Sequence, residues 1–138
     1  MKELSDHARA LINAPVLATV GTVEPSGSPQ LTVVWAHTDG DAVVFSTIRG
    51  RRKTNNLESD PRVSISWINP DDPMDTVEVR GTAELIDDPA GKLIDELSHK
   101  YRGTTWTEPN PESQRVIVRA CHAEPGPCRS LTMPRGES

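Results

Sequence analysis

Apolar and polar positions along the chain change period several times. In ELSDHARALIN, Leu4, Ala8, Leu11 and Ile12 recur at helical spacing and Pro15 follows, which predicts an amphipathic helix ending before the proline. VLATVGT (16–22) and SPQLTVVWAH (28–37) flank VEPSGS, whose Pro25, Ser26 and Gly27 predict a turn and therefore a hairpin. Asp39 and Gly40 predict a second tight turn leading into AVVFSTI (42–48). TNNLESDP reads as a short helix stopped by Pro61. RVSISWI (62–68) then alternates Val63, Ile65 and Trp67 against Arg62, Ser64 and Ser66, the pattern of a strand with one wet face. NPDDPMD (69–75) is a turn-rich loop, and TVEVRGTAELI (76–86) keeps period two throughout. DDPAGKLIDELSHKY predicts a second amphipathic helix, with Pro89 near its first position and Leu93, Ile94, Leu97 and Tyr101 on one stripe. QRVIVRA (114–120) is a last strand, and the remaining residues are too rich in proline for a periodic element.

These elements imply a mainly β fold with flanking helices. Six mostly antiparallel strands joined by short turns point to a closed or nearly closed, split β-barrel, because closure removes exposed edges. Residues 1–120 are read as one domain and 121–138 as an irregular tail. The length of 138 residues suits a single core, and 35% apolar with 25% charged residues excludes disorder as the default. A net charge of −5 argues against general nucleic-acid binding. No stretch reaches the length of a membrane span, and no continuous apolar leader is present, so a cytoplasmic, non-membrane protein is expected. Cys121 and Cys128 are too few for a disulfide framework; both are expected to be reduced thiols, with one bridge between them left open.

Against the acidic total, RGRRKTNN (49–56) stands out, with Arg49, Arg51, Arg52 and Lys53 inside five positions. The turn follows a strand and precedes a short helix. Free N–H groups at a helix start, its positive dipole end and nearby cations would converge on a phosphate. The spacing keeps all four side chains from pointing one way, so two are expected at the anion and the others in solvent. The competing reading is a solvated turn paired with Glu58 or Asp60. Ser46 and Thr47 end the preceding strand, where hydroxyls could donate to a phosphate or a ring carbonyl. On the second strand Gln30 and Thr32 share a face, read as the polar side opposite Leu31 and Val33.

LATVGTVEPSGSPQLTVVW, VVFSTIRGRRKTNNLESDPRVSIS, VEVRGTAELIDD and KYRG followed by RVIVR together resemble the flavin-binding split-barrel superfamily of pyridoxamine 5'-phosphate oxidase type. Within it they are most similar to the small class that uses the deazaflavin coenzyme F(420). The resemblance runs from about residue 4 to residue 120, and its most specific piece is RGRRKTNNLESDPR. It implies a homodimer with two cofactor sites at the interface, each completed by the other subunit. By position, Arg52 and Lys53, with Arg51 nearby, match the phosphate ligands, and Ser46 and Thr47 match contacts to the phosphoribityl chain or ring edge. Gln30, Leu31, Thr32, Val33 and Val34 match the strand under the ring. Met74, Asp75, Thr76 and Val77 fall where the second subunit contributes, and Asn56 matches a position that caps or orients the basic turn. The implied activity is hydride transfer between reduced F(420) and an unsaturated or quinone-like small molecule. An FMN oxidase or reductase and a non-catalytic cofactor carrier are the alternatives, since FMN also presents a phosphate on a ribityl chain. The tail ACHAEPGPCRSLTMPRGES departs from the family's closing segment.

Other residues invite weaker readings. Cys121, His122 and Cys128 lack the number and spacing of a zinc site, and no metal is expected. His37 at a strand end is read as a surface histidine before a proton donor. Trp67 is assigned to the core, and Trp106 either to a substrate wall or to a cover for the barrel. No Ser-His-Asp order, phosphate loop or dinucleotide fingerprint is present.

Overall fold

A computed structural model describes residues 3–122. The element order is α1 (Asp6–Asn13), β1 (Ala18–Val23), β2 (Pro29–Val34), β3 (Ala36–Asp39), β4 (Ala42–Ile48), α2 (Arg52–Ser59), β5 (Arg62–Asn69), β6 (Asp72–Asp87), α3 (Lys92–Arg102) and β7 (Arg115–His122). All strands pair antiparallel in one sheet of order β2-β1-β5-β6-β7-β4-β3. The two edge strands, β2 and β3, are consecutive in the chain and separated only by Trp35. The sheet must therefore curl until its edges meet at that residue, which gives a barrel split along one seam.

Seven strands replace the expected six, because the run 28–37 breaks at Trp35 instead of continuing as one strand. β2 pairs with β1, whereas β3 pairs with β4, so the break is where the chain changes partners. The core is filled by inward residues of every layer, including Val20, Phe45, Ile65, Trp67, Val79 and Val118, with Ile12 and Leu57 supplied by the helices. Trp67 is fully buried, as its alternating strand requires. β6 begins at Asp72, so the expected loop 69–75 is reduced to a tight turn followed by strand. A register shift at Ile68/Asn69 absorbs the irregularity.

α3 closes the seam. The Tyr101 hydroxyl accepts from Ala36 N at 3.1 Å and donates to Val16 O at 2.7 Å, while Lys100 Nζ donates to Ile12 O at 2.9 Å and to Ala36 O. Ala36 lies on the β3 edge, where the helix supplies the partners that a strand does not, and Ile12 and Val16 tie the end of α1 and the link to β1 to the same helix. The helix starts three residues after Pro89, at Lys92. Both oxygens of Asp88 accept from its first turn, at Lys92 N (3.1 Å) and Leu93 N (2.9 Å).

Cys121, buried on β7, is disulfide-bonded, which corrects the expectation of a reduced thiol. Cys128 and the rest of the expected tail from residue 123 lie outside the described residues. β7 itself runs two residues past the expected domain boundary, to His122. No helix among the described residues is long and apolar enough to cross a membrane.

Candidate functional site

A groove of about 400 Å³ opens between the end of β4, the start of α2, the β2–β3 break and the loop 103–114. That is the size range of a small-molecule site. One end is cationic, with Arg51 and Lys53. Ser46 and Thr47 end β4 beside it, Leu17, Val33, Val34, Ile94 and Leu97 supply apolar surface, and Trp35, Trp106, Glu108 and Arg115 complete the lining, with Arg115 paired to Ile48 at the end of β4.

The four cations divide. Arg49 pairs with Asp87 (2.8 Å) and Glu58 (3.3 Å), and Arg52 pairs with Glu24 (3.0 Å), so both are engaged outside the groove. Arg51 and Lys53 line it, and among the described residues neither forms an ion pair or a side-chain hydrogen bond. Burial, followed by repulsion from Arg51, pushes the Lys53 amine below its ordinary pKa. α2 begins at Arg52 with Arg51 as its N-cap, and no side chain caps it. Its first-turn N–H groups thus stand beside two uncompensated cations, an arrangement that suits a phosphate or carboxylate.

Hydroxyls and amides hold this end in shape. Thr54 Oγ1 donates to Ile48 O at 2.9 Å, so Thr47 Oγ1 is the donor in their 3.2 Å contact. Buried Asn56 donates from Nδ2 to Thr22 Oγ1 at 3.1 Å, and Thr22 Oγ1 donates to Gln30 Oε1 at 3.2 Å. This chain ties α2 to β1 and β1 to β2. Asn56 therefore orients the basic turn from beneath.

The faces of β2 are opposite to the sequence expectation. The pairs Ala18↔Val34, Val20↔Thr32 and Thr22↔Gln30 share the inner face with buried β1 residues, so Gln30 and Thr32 turn inward. Leu31 and Val33 point out and are 68% and 60% exposed, Leu31 lying against Gly21. Polarity alone misassigns this strand: inward Gln30 finds a partner across the strand in Thr22, while the inward Thr32 Oγ1 is buried without a hydrogen-bond partner among the described residues. Of the expected ring strand, Val33 and Val34 line the groove, and Gln30, Leu31 and Thr32 do not.

Met74, Asp75, Thr76 and Val77 on β6 are absent from this groove. Met74 and Thr76 are exposed and Val77 is buried in the core. Asp75 accepts from Asn69 at 3.1 Å and bonds His7 Nε2 at 2.7 Å, contacts that hold its carboxyl below the usual range. His37 lies outside the groove, 4.0 Å from Glu96, with its pKa lowered chiefly by burial.

Trp106, read as a substrate wall or a barrel cover, lines the groove, and Trp35, Glu108 and Arg115 join it there without having been expected. Trp35 reaches it through the strand break. Arg115, at the start of β7, grips Glu108 through two bonds of 2.8 and 3.0 Å, and Trp106 Nε1 donates to the same carboxylate at 3.2 Å. The Arg115 bonds come first in holding the Glu108 carboxyl below its usual range, and Arg51 contributes to it. The only signal in the chain was their position in a loop and at a strand end, which identifies no partner.

Comparisons with known proteins converge on one family. The profile described as pyridoxamine 5'-phosphate oxidase matches residues 4–123. A pyridoxine/pyridoxamine 5'-phosphate oxidase of Aeromonas hydrophila is 40% identical over 65 residues, covering 46% of this chain and 31% of that protein. The chain thus spans about a third of the length of that curated relative. Among solved structures, an F(420) reductase superposes with a TM-score of 0.79 at 30% identity, covering 87% of this chain and 96% of the other. A conserved hypothetical protein from Mycobacterium tuberculosis shares the fold, with a TM-score of 0.69 at 24% identity over 88% of this chain and 86% of the other.

Proposed function

This chain belongs to the pyridoxamine 5'-phosphate oxidase family, and from that premise we propose that it is an oxidoreductase that binds coenzyme F(420) and passes a hydride from its reduced form to an unsaturated or quinone-like small molecule. The observation that carries the reading is half-buried Lys53 beside exposed Arg51, both lining a ligand-sized groove without an ion pair among the described residues. A half-buried ammonium held beside a like charge is costly unless an anion completes it. Arg51, Lys53 and the first-turn amides of α2 would hold the cofactor phosphate, and Ser46 and Thr47 would meet the ribityl chain or the ring edge. Val33, Val34 and Leu17 offer an apolar bed for the ring.

The bound ring supplies the hydride chemistry. The chain fixes the phosphate, orients the ring and keeps water from one face. Reduction of the acceptor also needs a proton, and solvent reaches the open groove. Overall similarity to an F(420) reductase supports the deazaflavin over FMN.

A homodimer is part of the proposal. Leu17, Leu31 and Val33 form exposed apolar surface running into the groove mouth, and beside them Thr19, Gly21, Ser64 and Ser66 make a shallow outer face of small residues. A second copy would cover this surface, and exposed Met74 and Thr76 are free to reach the neighbour's site, whereas Val77 and Asp75 are already engaged. The test is a pair of fluorescence titrations, with FMN and with F(420), followed by oxidation of reduced F(420) with quinones and enones. Micromolar binding of FMN alone would sink the deazaflavin reading. Binding of F(420) without turnover on any acceptor would make the protein a carrier.

A further inference from the structure

We propose that the corner formed by Trp35 and Trp106 is the subsite for the hydride acceptor, and that it selects a planar, conjugated ring bearing a carbonyl. The inference rests on the oxidoreductase reading above. Both indoles line the same groove as Arg51 and Lys53. Trp35 stacks on Tyr101 with ring centres 5.4 Å apart and planes 12° from parallel. Trp106 meets Trp35 edge-on, at 6.1 Å and 88°. The Arg115 guanidinium covers the Trp106 ring at 5.2 Å. Tyr101 and Arg115 thus back the two indoles and fix them at a right angle.

The corner is held more firmly than a surface cover needs. Trp106 N donates to Asp95 Oδ1 at 2.9 Å, its indole N–H donates to Glu108, and Glu108 is locked by two bonds from Arg115, whose side chain is only 10% exposed. A rotamer pinned at both backbone and ring loses little entropy when a ligand stacks on it. With the Trp106 N–H already used, the corner offers π surface and edge. Among the described residues the Trp35 indole N–H has no hydrogen-bond partner, so it is the donor left for a ring carbonyl. Flatness and one carbonyl are therefore what this end of the groove can recognise.

Trp106, Glu108, Ser113 and Arg115 also line a second cavity of about 520 Å³. Trp106, but not Trp35, is thus common to the two cavities.

The test uses holoprotein saturated with whichever cofactor it binds, titrated with 2-methyl-1,4-naphthoquinone while tryptophan fluorescence is followed. Steady-state rates with the reduced cofactor accompany the titration. Saturable quenching is expected, with Trp106→Leu weakening quinone affinity about tenfold, the scale of a lost aromatic contact. Trp106→Phe, which keeps a flat face, should recover most of the affinity, and the leucine variant should raise KM more than it lowers kcat. A saturated decalin-1,4-dione, with the same carbonyls but no planarity, should not bind. Unchanged quinone affinity in a folded Trp106→Leu protein, or equal binding of the decalindione, would overturn the inference and leave the cofactor reading intact. If neither cofactor binds, the cofactor reading falls by itself. Quinone saturation of the cofactor-free protein that depends on Trp106 would then still support the corner, and its absence would overturn it.

Discussion

Lys53 is pressed from two directions, by burial and by the like charge of Arg51, and both favour losing its proton. A bound phosphate reverses the second effect and compensates the first. Cofactor affinity should therefore fall as pH rises through the alkaline range, beginning below the ordinary lysine value of 10.5. Titrations across pH with wild type and Lys53→Arg would check this, because arginine keeps its charge and should flatten the profile. A cation cluster after a strand and before a helix was plain in the sequence, and so was the rule that only two of four could share one direction. Which two was not legible. The helix starts at Arg52 instead of Thr54, so Arg51 becomes its N-cap, and Glu24, from the distant β1–β2 turn, draws Arg52 away. A partner supplied by tertiary structure leaves no local trace in the pattern of charges.

At the scale of elements, α2 and α3 hold the site between them. α3 depends on a side-chain cap that sits four residues before its first turn, so Asp88→Ala should lower unfolding stability by about 1–2 kcal/mol in urea melts. Its far end closes the barrel seam with a lysine whose pKa burial lowers to about 8. The folded protein thus binds the Lys100 proton less tightly than the unfolded chain does. Between pH 8 and 10 the unfolded chain holds more protons there, so stability should rise with pH across that window. Tyr101, raised by burial, works in the opposite direction above 10. Comparing wild type with Lys100→Met by denaturant melts at pH 7.5 and pH 9.5 isolates the effect: wild type should gain more than the variant, in which only depressed Lys53 contributes in that direction. Period and turn chemistry located every helix and nearly every strand. The split at Trp35 was hidden because both halves of that run have ordinary strand composition, and only the change of pairing partner divides them.

Across the whole molecule, the curled sheet brings the basic turn and the indole corner to one groove, because Trp35 lies at the seam and β4 leads directly into the basic turn. The barrel class was readable from strands spaced by short turns, whereas the order β2-β1-β5-β6-β7-β4-β3 was not. Non-local pairings depend on which faces match in three dimensions. The exposed Leu31 and Val33 predict that the protein sediments as a dimer, and Leu31→Asp with Val33→Asp should shift it to monomer without loss of helix or strand signal in circular dichroism. A wild-type monomer at micromolar concentration would remove the second-subunit part of the account. The most direct measurement, however, concerns the anchor. In F(420) titrations followed by fluorescence, Arg51→Ala with Lys53→Ala should weaken binding by about 2–4 kcal/mol, as the loss of two charge-assisted phosphate contacts would. Arg52→Ala, which breaks only the Glu24 pair, should change it far less. Equal affinity in the double variant and wild type would contradict the claim that this groove holds a phosphate-bearing cofactor.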